Sequence, residues 1–333
     1  MGQLFDHIIS LENLFSAWRE FRVGKMNKID VLEFSCDPED QLFALHEELK
    51  SGLWEHGSYL SFTVHDPKPR RIHKATVRDR ILHHAVTRVV EPLFERSFIF
   101  DSWSCRTGKG THTAVQRLAQ KLSLSERQKQ GAWILKADIK KYFQNVDHDV
   151  LLKIIARQVH DEELMYLLEK IIRSFNPGIP LGNLTSQLFA NVYLNRFDHY
   201  VKENLEIKNY LRYCDDFVMV SNQREDLECA LKKAQKFLAR HLKLTVHPDK
   251  IFFRPYHLGV DWLGYILYPG YTAMRPKTRK RMWNKINTKL NDYWSGHCNY
   301  EEFFSVCYSY LGALQPASGG GDYKKIEYLL KCL

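Results

Sequence analysis

Three aspartates lie at the ends of apolar, strand-like runs of the sequence. Two such runs flank Cys214, Asp215 and Asp216 in the segment 210–220, so the pattern predicts a hairpin with adjacent acids at its tip. Asp138 ends another apolar run, where its side chain can project into a cleft instead of a core. Because neighbouring carboxylates repel, a fold tolerates them beside apolar strands only where something compensates the repulsion. Divalent cations do so most directly.

Together, Asp138, Asp215 and Asp216 could hold two Mg²⁺ ions, with Mn²⁺ as a substitute, ~3.5–4 Å apart. Two ions at that spacing lower the pKa of an attacking hydroxyl and stabilise the leaving oxygen in phosphoryl transfer. Each residue taken singly also fits a simpler interpretation, since Asp is common in turns and at helix caps. The acidic pattern alone therefore leaves both metal-assisted phosphoryl transfer and simple turn formation open.

The composition describes a chain with ample apolar material and a moderate basic excess. Its 333 residues include 48 Lys+Arg and 39 Asp+Glu, a net charge of +9, and 44% hydrophobic residues, which excludes wholesale disorder. No stretch reaches the ~18–20 apolar residues that span a bilayer, so we expect no membrane partner. Asp6 and Glu12 interrupt the first apolar run, which argues against a secretory signal. The seven cysteines include no Cys-x-x-Cys pair, which favours a reducing compartment, the cytoplasm.

The basic excess is concentrated in two stretches. The interval 271–290 holds no acidic residue, and its basic residues are Arg275, Lys277, Arg279, Lys280, Arg281, Lys285 and Lys289. Pro276 suits the first turn of a helix, and Met282 and Ile286 recur at the spacing of a buried stripe. The second cluster comprises Lys68, Arg70, Arg71, Lys74, Arg78 and Arg80. Either cluster alone fits a solvated face, but two of them favour nucleic-acid binding.

Helical and strand-like segments occur side by side along the chain. Asp37, Asp147 and Asp161 are good N-caps, and each precedes a run with the apolar period of a helix. Short β-like runs lie at 133–135, 210–213, 217–220 and 262–266. This mixture predicts an α+β fold with a strand-rich centre and a helical carboxy-terminal part.

Several motifs resemble, in the same order, those of reverse transcriptases. Tyr213-Cys214-Asp215-Asp216 resembles the Tyr-x-Asp-Asp box of that family, and Asp138, followed five residues later by an aromatic residue, resembles its first carboxylate motif. The segments that resemble further motifs are 68–72 and 78–81 in the fingers, 180–191, 243–250, and 262–265 in the primer grip. The resemblance covers nearly the whole chain, and the ordered set of motifs is far more specific than any one of them.

This resemblance implies a right-hand polymerase fold, α+β in class, with fingers, a palm made of an antiparallel sheet plus helices, and a helical thumb. Residues 1–130 would form an N-terminal extension and fingers, 131–268 the palm with the remaining fingers elements, and 269–333 the thumb. The implied activity is that of an RNA-directed DNA polymerase, a nucleotidyltransferase that binds template RNA, a primer strand and deoxynucleoside triphosphates. The three aspartates would be its metal ligands, together with the backbone carbonyl of Ile139.

The resemblance also assigns roles around the nucleotide. Phe143 would lie under the sugar and exclude a 2′-hydroxyl, Lys250 would protonate the departing pyrophosphate, and Gly182 would let the backbone approach the base pair. An ordinary core position is the less favoured alternative for Phe143, and Lys250 equally suits a surface position. The other predicted nucleotide-binding residues are Arg70, Arg78, Lys68, Leu181 and Gln187. The predicted primer–template contacts are Arg275, Lys277, Arg279, Lys280, Trp262 and Gly264.

The segment after Pro180 resembles one subtype in particular. Most reverse transcriptases have Gln-Gly-x-x-x-Ser-Pro there, whereas this chain has Leu181 in place of the Gln and Gln187 in place of the Pro. That variant, and the run 105–112, resemble the enzymes of diversity-generating retroelements. The resemblance implies cDNA synthesis with errors concentrated at template adenines, and a small, basic, oligomeric accessory protein as partner. Because Leu181 cannot make the hydrogen bond of a Gln, we expect weaker discrimination among nucleotides.

Two alternatives remain open at the level of the sequence. The first is another prokaryotic reverse transcriptase, derived from an intron or linked to phage defence. The 333 residues leave little room for an intron maturation domain, and no Val-Thr-Gly signature of a retron enzyme occurs near the predicted thumb. The second is a non-catalytic RNA-binding relative, against which the presence of all three aspartates counts.

Overall fold

Helices and short antiparallel strands make up residues 3–65, 68–127, 131–317 and 320–332, the part of the chain that the computed structural model describes. The helices are α1 (Gln3–Ile9), α2 (Leu11–Arg22), α3 (Ile29–Ser35), α4 (Pro38–Lys50), α5 (Val77–Glu95), α6 (Thr111–Arg127), α7 (His148–Ile155), α8 (Glu162–Arg173), α9 (Leu184–His199), α10 (Arg224–Leu242), α11 (Pro276–Trp294), α12 (Tyr300–Leu314) and α13 (Gly321–Lys331). The strands are β1 (Leu60–Val64), β2 (Arg70–Lys74), β3 (Trp133–Asp138), β4 (Asn209–Tyr213), β5 (Asp216–Ser221), β6 (Phe252–Pro255), β7 (Val260–Trp262), β8 (Tyr265–Tyr268) and β9 (Tyr271–Met274). The predicted α+β class is confirmed.

The chain divides into two compact units, each assembled from separated segments. The first unit comprises residues 1–100, 139–200 and 234–247, and the second comprises 101–138, 201–233 and 248–333. The predicted division after residue 130 lies outside the described residues, and the division after residue 268 falls between β8 and β9, which pair with each other. The three-part division into fingers, palm and thumb ranges stays a prediction.

The central sheet belongs to the second unit and has the strand order β4-β5-β3-β6, with every neighbouring pair antiparallel. The predicted acidic hairpin is confirmed as β4 and β5, with Tyr213 opposite Asp216. On its other side β5 pairs with β3, and Asp138 lies opposite Asp216. Because β5 pairs with both β4 and β3, its register brings the acidic turn between β4 and β5 and the last residue of β3 to the same end of the sheet.

An apolar core holds this sheet against α6. The helix contributes Val115, Leu118 and Leu122, which recur at helical spacing, and the sheet contributes Leu211 and Val218. Each of these side chains is nearly or completely buried. Since burial of one aliphatic side chain of this size contributes ~1.5–3 kcal/mol, this cluster is a main source of stability for the sheet that carries the acids.

A three-stranded sheet, β7-β8-β9, and helices α11–α13 complete the second unit. The basic helix begins at Pro276, as predicted. Its stripe of Met282 and Ile286 is completely buried against Phe303 of α12 and Ile326 of α13. The apolar stripe therefore builds a separate helical core and leaves the opposite, basic face of α11 to solvent.

Helix caps in the first unit follow the predicted signals. The carboxylate of Asp147 accepts the backbone N–H of Val150 at 2.9 Å, and that of Asp161 accepts the backbone N–H of Leu164 at 3.0 Å. The helix after Asp37 is also confirmed and begins with a proline, although the Asp37 side chain makes no capping hydrogen bond. Caps of this kind are worth ~1 kcal/mol each and account for where these helices begin.

Within the described ranges, no helix is long and apolar enough to cross a membrane. All seven cysteines carry free thiols; Cys307 is buried, Cys214 and Cys298 are half-buried, and the other four are exposed.

Candidate active site

The acidic hairpin tip is a two-residue turn. Tyr213 and Asp216 are paired, so Cys214 and Asp215 form the turn itself. Cys214 has a φ of 55°, in the left-handed region that costs a non-glycine residue ~1–2 kcal/mol. Burial raises the pKa of the Cys214 thiol well above its usual range, and the thiol therefore stays protonated. Contacts from elsewhere must hold this strained backbone in place.

Arg212 supplies one of those contacts from inside the protein. Its side chain is 1% exposed. The Nη1 atom donates to the carbonyl oxygen of Cys214 at 3.0 Å, and Nη2 donates to the hydroxyl of Ser102 at 3.1 Å. Sequence reasoning missed Arg212, because arginine is rarely buried and a strand pattern does not show which cation turns inward.

The segment that precedes α6 lies along β4 and extends this support. The amide of Trp103 donates to the carbonyl of Arg212 at 2.9 Å, and the amide of Arg212 donates to the carbonyl of Asp101 at 2.9 Å. The hydroxyl of Thr111 lies 3.1 Å from the hydroxyl of Tyr213. The run 105–112, which the sequence singled out, is therefore next to the acidic hairpin.

Two lysines lie near the three aspartates. The Nζ atom of Lys250 lies 2.8 Å from Oδ1 of Asp138. Lys136 is two residues before Asp138 on β3 and is the cation that most lowers the pKa of Asp216, against the raising effect of burial. The structure thus brings four predicted residues together in the second unit, Asp138, Asp215, Asp216 and Lys250, and adds Lys136, which the sequence analysis did not select.

Burial and mutual repulsion disfavour the ionised form of two of these carboxyls. Burial is the largest cause for Asp216, and Asp215 and Asp138 add to it, so its pKa rises to about 6. Burial and the charge of Asp138 likewise raise the pKa of Asp215. The cluster is therefore costly when fully ionised, and it favours the arrival of additional positive charge.

The donor chemistry of this cluster fits a divalent cation, because Asp138 lies opposite Asp216 and the charges of Asp138 and Asp215 both act on Asp216. Within the parts of the chain that the structure describes, no three His, Cys, Asp or Glu side chains already form a group that could hold an ion. Lys250 instead provides the positive charge that faces Asp138. Asp138, Asp215 and Asp216 thus stay the predicted ligands of an ion, and Lys250 is the cation that lies beside Asp138.

Phe143 lies in a short 3₁₀-helix, Tyr142–Asn145, of the first unit. Tyr142 is buried, and its hydroxyl donates to the carbonyl of Ala190 at 2.5 Å. The Phe143 ring is half-buried and stands edge-on to the Tyr142 ring at 5.4 Å. The ring is thus not fully enclosed in the core, and its contact with a sugar stays a prediction. Ile139 is completely buried, and its contact with a metal ion stays a prediction.

Leu181 and Gly182 lie against strand β2. The amide of His73 donates to the carbonyl of Leu181 at 2.9 Å. Gly182 has a φ of 123°, and an added Cβ would lie 3.0 Å from Cγ2 of Ile72. Gly182 is thus needed for close packing on β2, a reason that the sequence did not indicate, and its approach to a base pair stays a prediction. Gln187 is exposed on α9.

The cations predicted to grip the triphosphate differ in their surroundings. Arg78 is half-buried on α5 and forms an ion pair with Glu48. Arg70, on β2, and Lys68, just before it, are both exposed. A triphosphate would have to share Arg78 with Glu48, whereas Arg70 and Lys68 face solvent.

The four predicted cations of the thumb helix also divide into two kinds. Lys277 and Lys280 are exposed on α11. Arg275 forms an ion pair with Asp261, and Arg279 forms a two-pronged pair with Asp322 of α13, one prong at 2.7 Å. The arginines therefore anchor the helix to its neighbours, and the lysines are the cations available for a phosphate backbone.

Trp262 lies completely buried in the core under the central sheet. Its side chain therefore supports the primer-grip segment from inside, and contact of that segment with nucleic acid stays a prediction. Gly264 occupies the turn between β7 and β8, where Leu263 and Gly264 have φ values of 48° and 91°, as a type I′ turn requires. An added Cβ at Gly264 would meet nothing closer than Oγ1 of Thr278 at 3.9 Å, so this turn is open to a ligand.

A buried polar network lies under the segment 181–187, and the sequence analysis did not select its central residue, His83. The Nδ1 atom of His83 lies 2.5 Å from the hydroxyl of Thr185, and its Nε2 atom lies 3.2 Å from Nε2 of His56. Burial, with smaller contributions from His56 and His84, lowers the pKa of His83 to about 3. The helical period places His83 on a buried face of α5. It does not identify its partner, Thr185, which is 102 residues away in the sequence.

Comparison with known proteins gives a consistent result. The sequence matches the family described as reverse transcriptase (RNA-dependent DNA polymerase) over residues 65–267. Protein YkfC of Escherichia coli is 28% identical over 274 residues, which cover 68% of this chain and 71% of YkfC. The group II intron-encoded protein LtrA of Lactococcus lactis is 26% identical over 248 residues, covering 69% of this chain but only 39% of LtrA.

Solved structures with a similar fold include two telomerases. That of Candida tropicalis superimposes with a TM-score of 0.54 at 10% identity, over 68% of this chain and 50% of that one. That of Candida albicans, in complex with a fragment of telomeric RNA, has a TM-score of 0.51 at 12% identity, over 84% of this chain and 60% of that one. At such identities the likeness shows the fold alone, and the predicted right-hand polymerase fold is confirmed.

Proposed function

This chain belongs to the reverse transcriptase family of RNA-dependent DNA polymerases, and on that premise we propose that it copies an RNA template into complementary DNA. The observation that carries the proposal is the register of the central sheet, which sets Asp138 opposite Asp216, next to the turn that contains Asp215. Carboxylates gathered at the ends of adjacent strands suit nucleotidyl transfer assisted by divalent metal ions, which enzymes of this family use.

Asp138, Asp215 and Asp216 would hold two Mg²⁺ ions, which lower the pKa of the primer 3′-hydroxyl and stabilise the leaving pyrophosphate. Each addition forms a bond from the 3′-oxygen to the α-phosphorus and breaks the bond from that phosphorus to the oxygen bridging to the β-phosphate. Lys250, now 2.8 Å from Asp138, would exchange that carboxylate for the pyrophosphate and donate a proton to it.

Other residues would bind and orient the substrates. The half-buried ring of Phe143 would lie under the sugar and exclude a 2′-hydroxyl by bulk. The exposed cations Arg70 and Lys68 would bind the triphosphate, because both side chains face solvent. Lys277 and Lys280 would follow the primer–template backbone by charge, without reading its sequence.

Primer extension on an RNA template tests this proposal and separates an enzyme from a non-catalytic RNA-binding relative. The parent chain should extend a DNA primer in Mg²⁺. Asp138→Asn, Asp215→Asn and Asp216→Asn should each lose ~10²–10³-fold or more in rate while still binding the primer–template, since each removes a group that acts on the reacting phosphate. Glu225→Gln, an exposed acid on α10, is the matched control and should extend at the parent rate. Extension by all three variants at the parent rate would reject the assignment.

Within the family, we propose the diversity-generating type. The support is the segment 181–187, with Leu181 where most members have Gln, and the run 105–112 beside the acidic hairpin. An enzyme of this type would make error-prone cDNA in the cytoplasm, with a small, basic, oligomeric accessory protein as partner. Sequencing the DNA next to the gene should reveal a near-repeat pair that differs mainly at adenines, and the absence of any such pair would reject the subtype.

The second candidate is an intron-derived reverse transcriptase. The identity of 26% with the group II intron-encoded protein LtrA favours it, although this chain spans only 39% of that protein. Intron boundaries on both sides of the gene would support this candidate. Both candidates share the polymerase reaction. The DNA on the two sides of the gene therefore decides between two biological roles, and the proposed chemistry of the three aspartates is the same in both.

A further inference from the structure

The loop 174–179 packs directly on the backbone that carries Phe143. The amide of Ile179 donates to the carbonyl oxygen of Phe143 at 2.8 Å. The next residue back, Gly178, has a φ of 72°, and its carbonyl lies 2.7 Å from Nε2 of His148. Because a carbonyl only accepts, His148 carries a proton on Nε2 here. Gly178 is therefore held between the Phe143 backbone and the first residue of α7.

No side chain fits at position 178. An added Cβ would lie 2.1 Å from the carbonyl oxygen of Phe143 and 2.7 Å from the Cα and carbonyl carbon of Gln144. All three are backbone atoms, so no rotamer change relieves the contact, and either the backbone at 143–144 or the loop 174–179 must shift. Gly52 has the same φ of 72°, yet an added Cβ there meets nothing within 4 Å. The two glycines thus separate steric contact from backbone strain.

The residues before Phe143 are anchored. The hydroxyl of Tyr142 donates to the carbonyl of Ala190 at 2.5 Å. The amide of Lys140 donates to the carbonyl of Thr245 at 2.9 Å. With that side of the segment held, any shift of the backbone at 143–144 falls on Phe143 and the residue after it.

We propose that Gly178 is a positioning residue for Phe143, and that the missing side chain at 178 sets the discrimination between deoxyribonucleotides and ribonucleotides. The inference rests on the proposed function, in which the Phe143 ring excludes a 2′-hydroxyl. Exclusion by bulk depends on a contact distance, and a misplacement of ~1 Å in an enzyme can change rates by ~10²-fold.

The test is the ratio of kcat/KM for a deoxynucleotide to kcat/KM for the matching ribonucleotide, in extension of a primer on template RNA. Gly178→Ala should lower this ratio by about tenfold or more, because the displaced ring admits the 2′-hydroxyl. Gly52→Ala should leave the ratio unchanged, since it introduces the same φ strain without the contact. A loss of stability alone would lower both rates together and leave the ratio as it is in the parent.

A double-mutant comparison ties the effect to the ring. Phe143→Val should lower the ratio, and Gly178→Ala added to Phe143→Val should then change it by less than about twofold, because no ring remains to be positioned. An effect of Gly178→Ala that is just as large in the Phe143→Val background would overturn the inference. So would a ratio unchanged by Gly178→Ala while Phe143→Val lowers it.

Two further results keep the inference separate from the proposed function. If Phe143→Val leaves the ratio unchanged, both the role of Phe143 and this inference fail, whereas the loss of extension in Asp216→Asn still tests the polymerase itself.

If Gly178→Ala does not fold, His148→Ala takes its place, since it releases the Gly178 carbonyl without a new contact. His148→Ala should lower the ratio and His148→Gln, which retains a donor, should restore it; an unchanged ratio in His148→Ala would overturn the inference.

Discussion

Single residues at the acidic turn combine features that oppose stability with features that serve the proposed reaction. Cys214 holds a left-handed backbone, and burial with neighbouring charges raises the pKa of Asp216 to about 6. Arg212 and Lys250 offset part of this cost by binding the Cys214 carbonyl and the Asp138 carboxylate. Such a cost is expected where charge is concentrated for catalysis and positive charge completes the site.

The first prediction at this scale concerns Leu181. In the proposed function the Leu181 side chain offers no hydrogen bond to the nucleotide. We expect Leu181→Gln to lower misincorporation opposite template adenines by several-fold, roughly the change in discrimination that one hydrogen bond provides. Sequencing of cDNA made on a defined template measures the effect. Leu124→Gln, an exposed leucine on α6, is the control. An error spectrum that is the same in Leu181→Gln and in the parent would contradict this explanation of low fidelity.

The second prediction concerns the pH dependence of folding. His83 is neutral when folded, with a pKa of about 3, against an ordinary value of 6.5. Below pH ~6.5 the unfolded chain binds a proton that the folded chain does not, so this group makes stability fall with acidification by up to ~1.4 kcal/mol per pH unit. His83→Gln should therefore reduce the loss of unfolding free energy between pH 7.5 and pH 5.5 by about 1 kcal/mol.

Urea titration at the two pH values measures this loss. His160→Gln, at an exposed position, is the control and should lose as much stability as the parent. A loss in His83→Gln equal to that of the parent would show that His83 is not held neutral by burial. His56 and His84, whose charges would also oppose a charge on His83, are retained in both variants.

At the scale of elements, the sequence predicted the pieces that local signals determine. Proline and aspartate marked the starts of α4, α7, α8 and α11, and two apolar, strand-like runs marked the β4–β5 hairpin. Pairings between distant segments carried no such signal. The strand-like pairing of Ser102 with Arg212 and the ion pair of Arg279 with Asp322 became visible only in the folded chain.

The ion pairs of Arg275 and Arg279 refine the prediction for the thumb helix, because they leave its exposed lysines as the cations to test. Lys277→Glu and Lys280→Glu should each weaken binding to a primer–template duplex across all sequences and reduce the salt slope by about 1, because each removes one phosphate contact. Binding titrations at several salt concentrations measure the slope. Lys232→Glu, exposed on α10, is the control. A slope unchanged in both variants would reject the placement of the duplex along α11.

At the scale of the whole molecule, the order of motifs predicted the fold better than any single element did. Charge alone, at +9, only hinted at nucleic acid. The residues that the sequence assigned to the reaction divide between two units, with the aspartates and Lys250 in the second and Phe143, Leu181 and Gly182 in the first. Local patterns identified these residues singly, whereas the buried roles of Trp262, Arg212 and His83 depend on packing that no local pattern encodes.

The central claim is that Asp138, Asp215 and Asp216 carry out RNA-templated DNA synthesis. Its most direct test is the rate of single-nucleotide addition to a DNA primer on template RNA in Mg²⁺, measured for the parent chain and for Asp216→Asn. We predict that the parent adds the nucleotide, and that Asp216→Asn binds the same duplex but is slower by ~10²–10³-fold or more. A parent chain that adds no nucleotide, or an Asp216→Asn variant as fast as the parent, would contradict the claim.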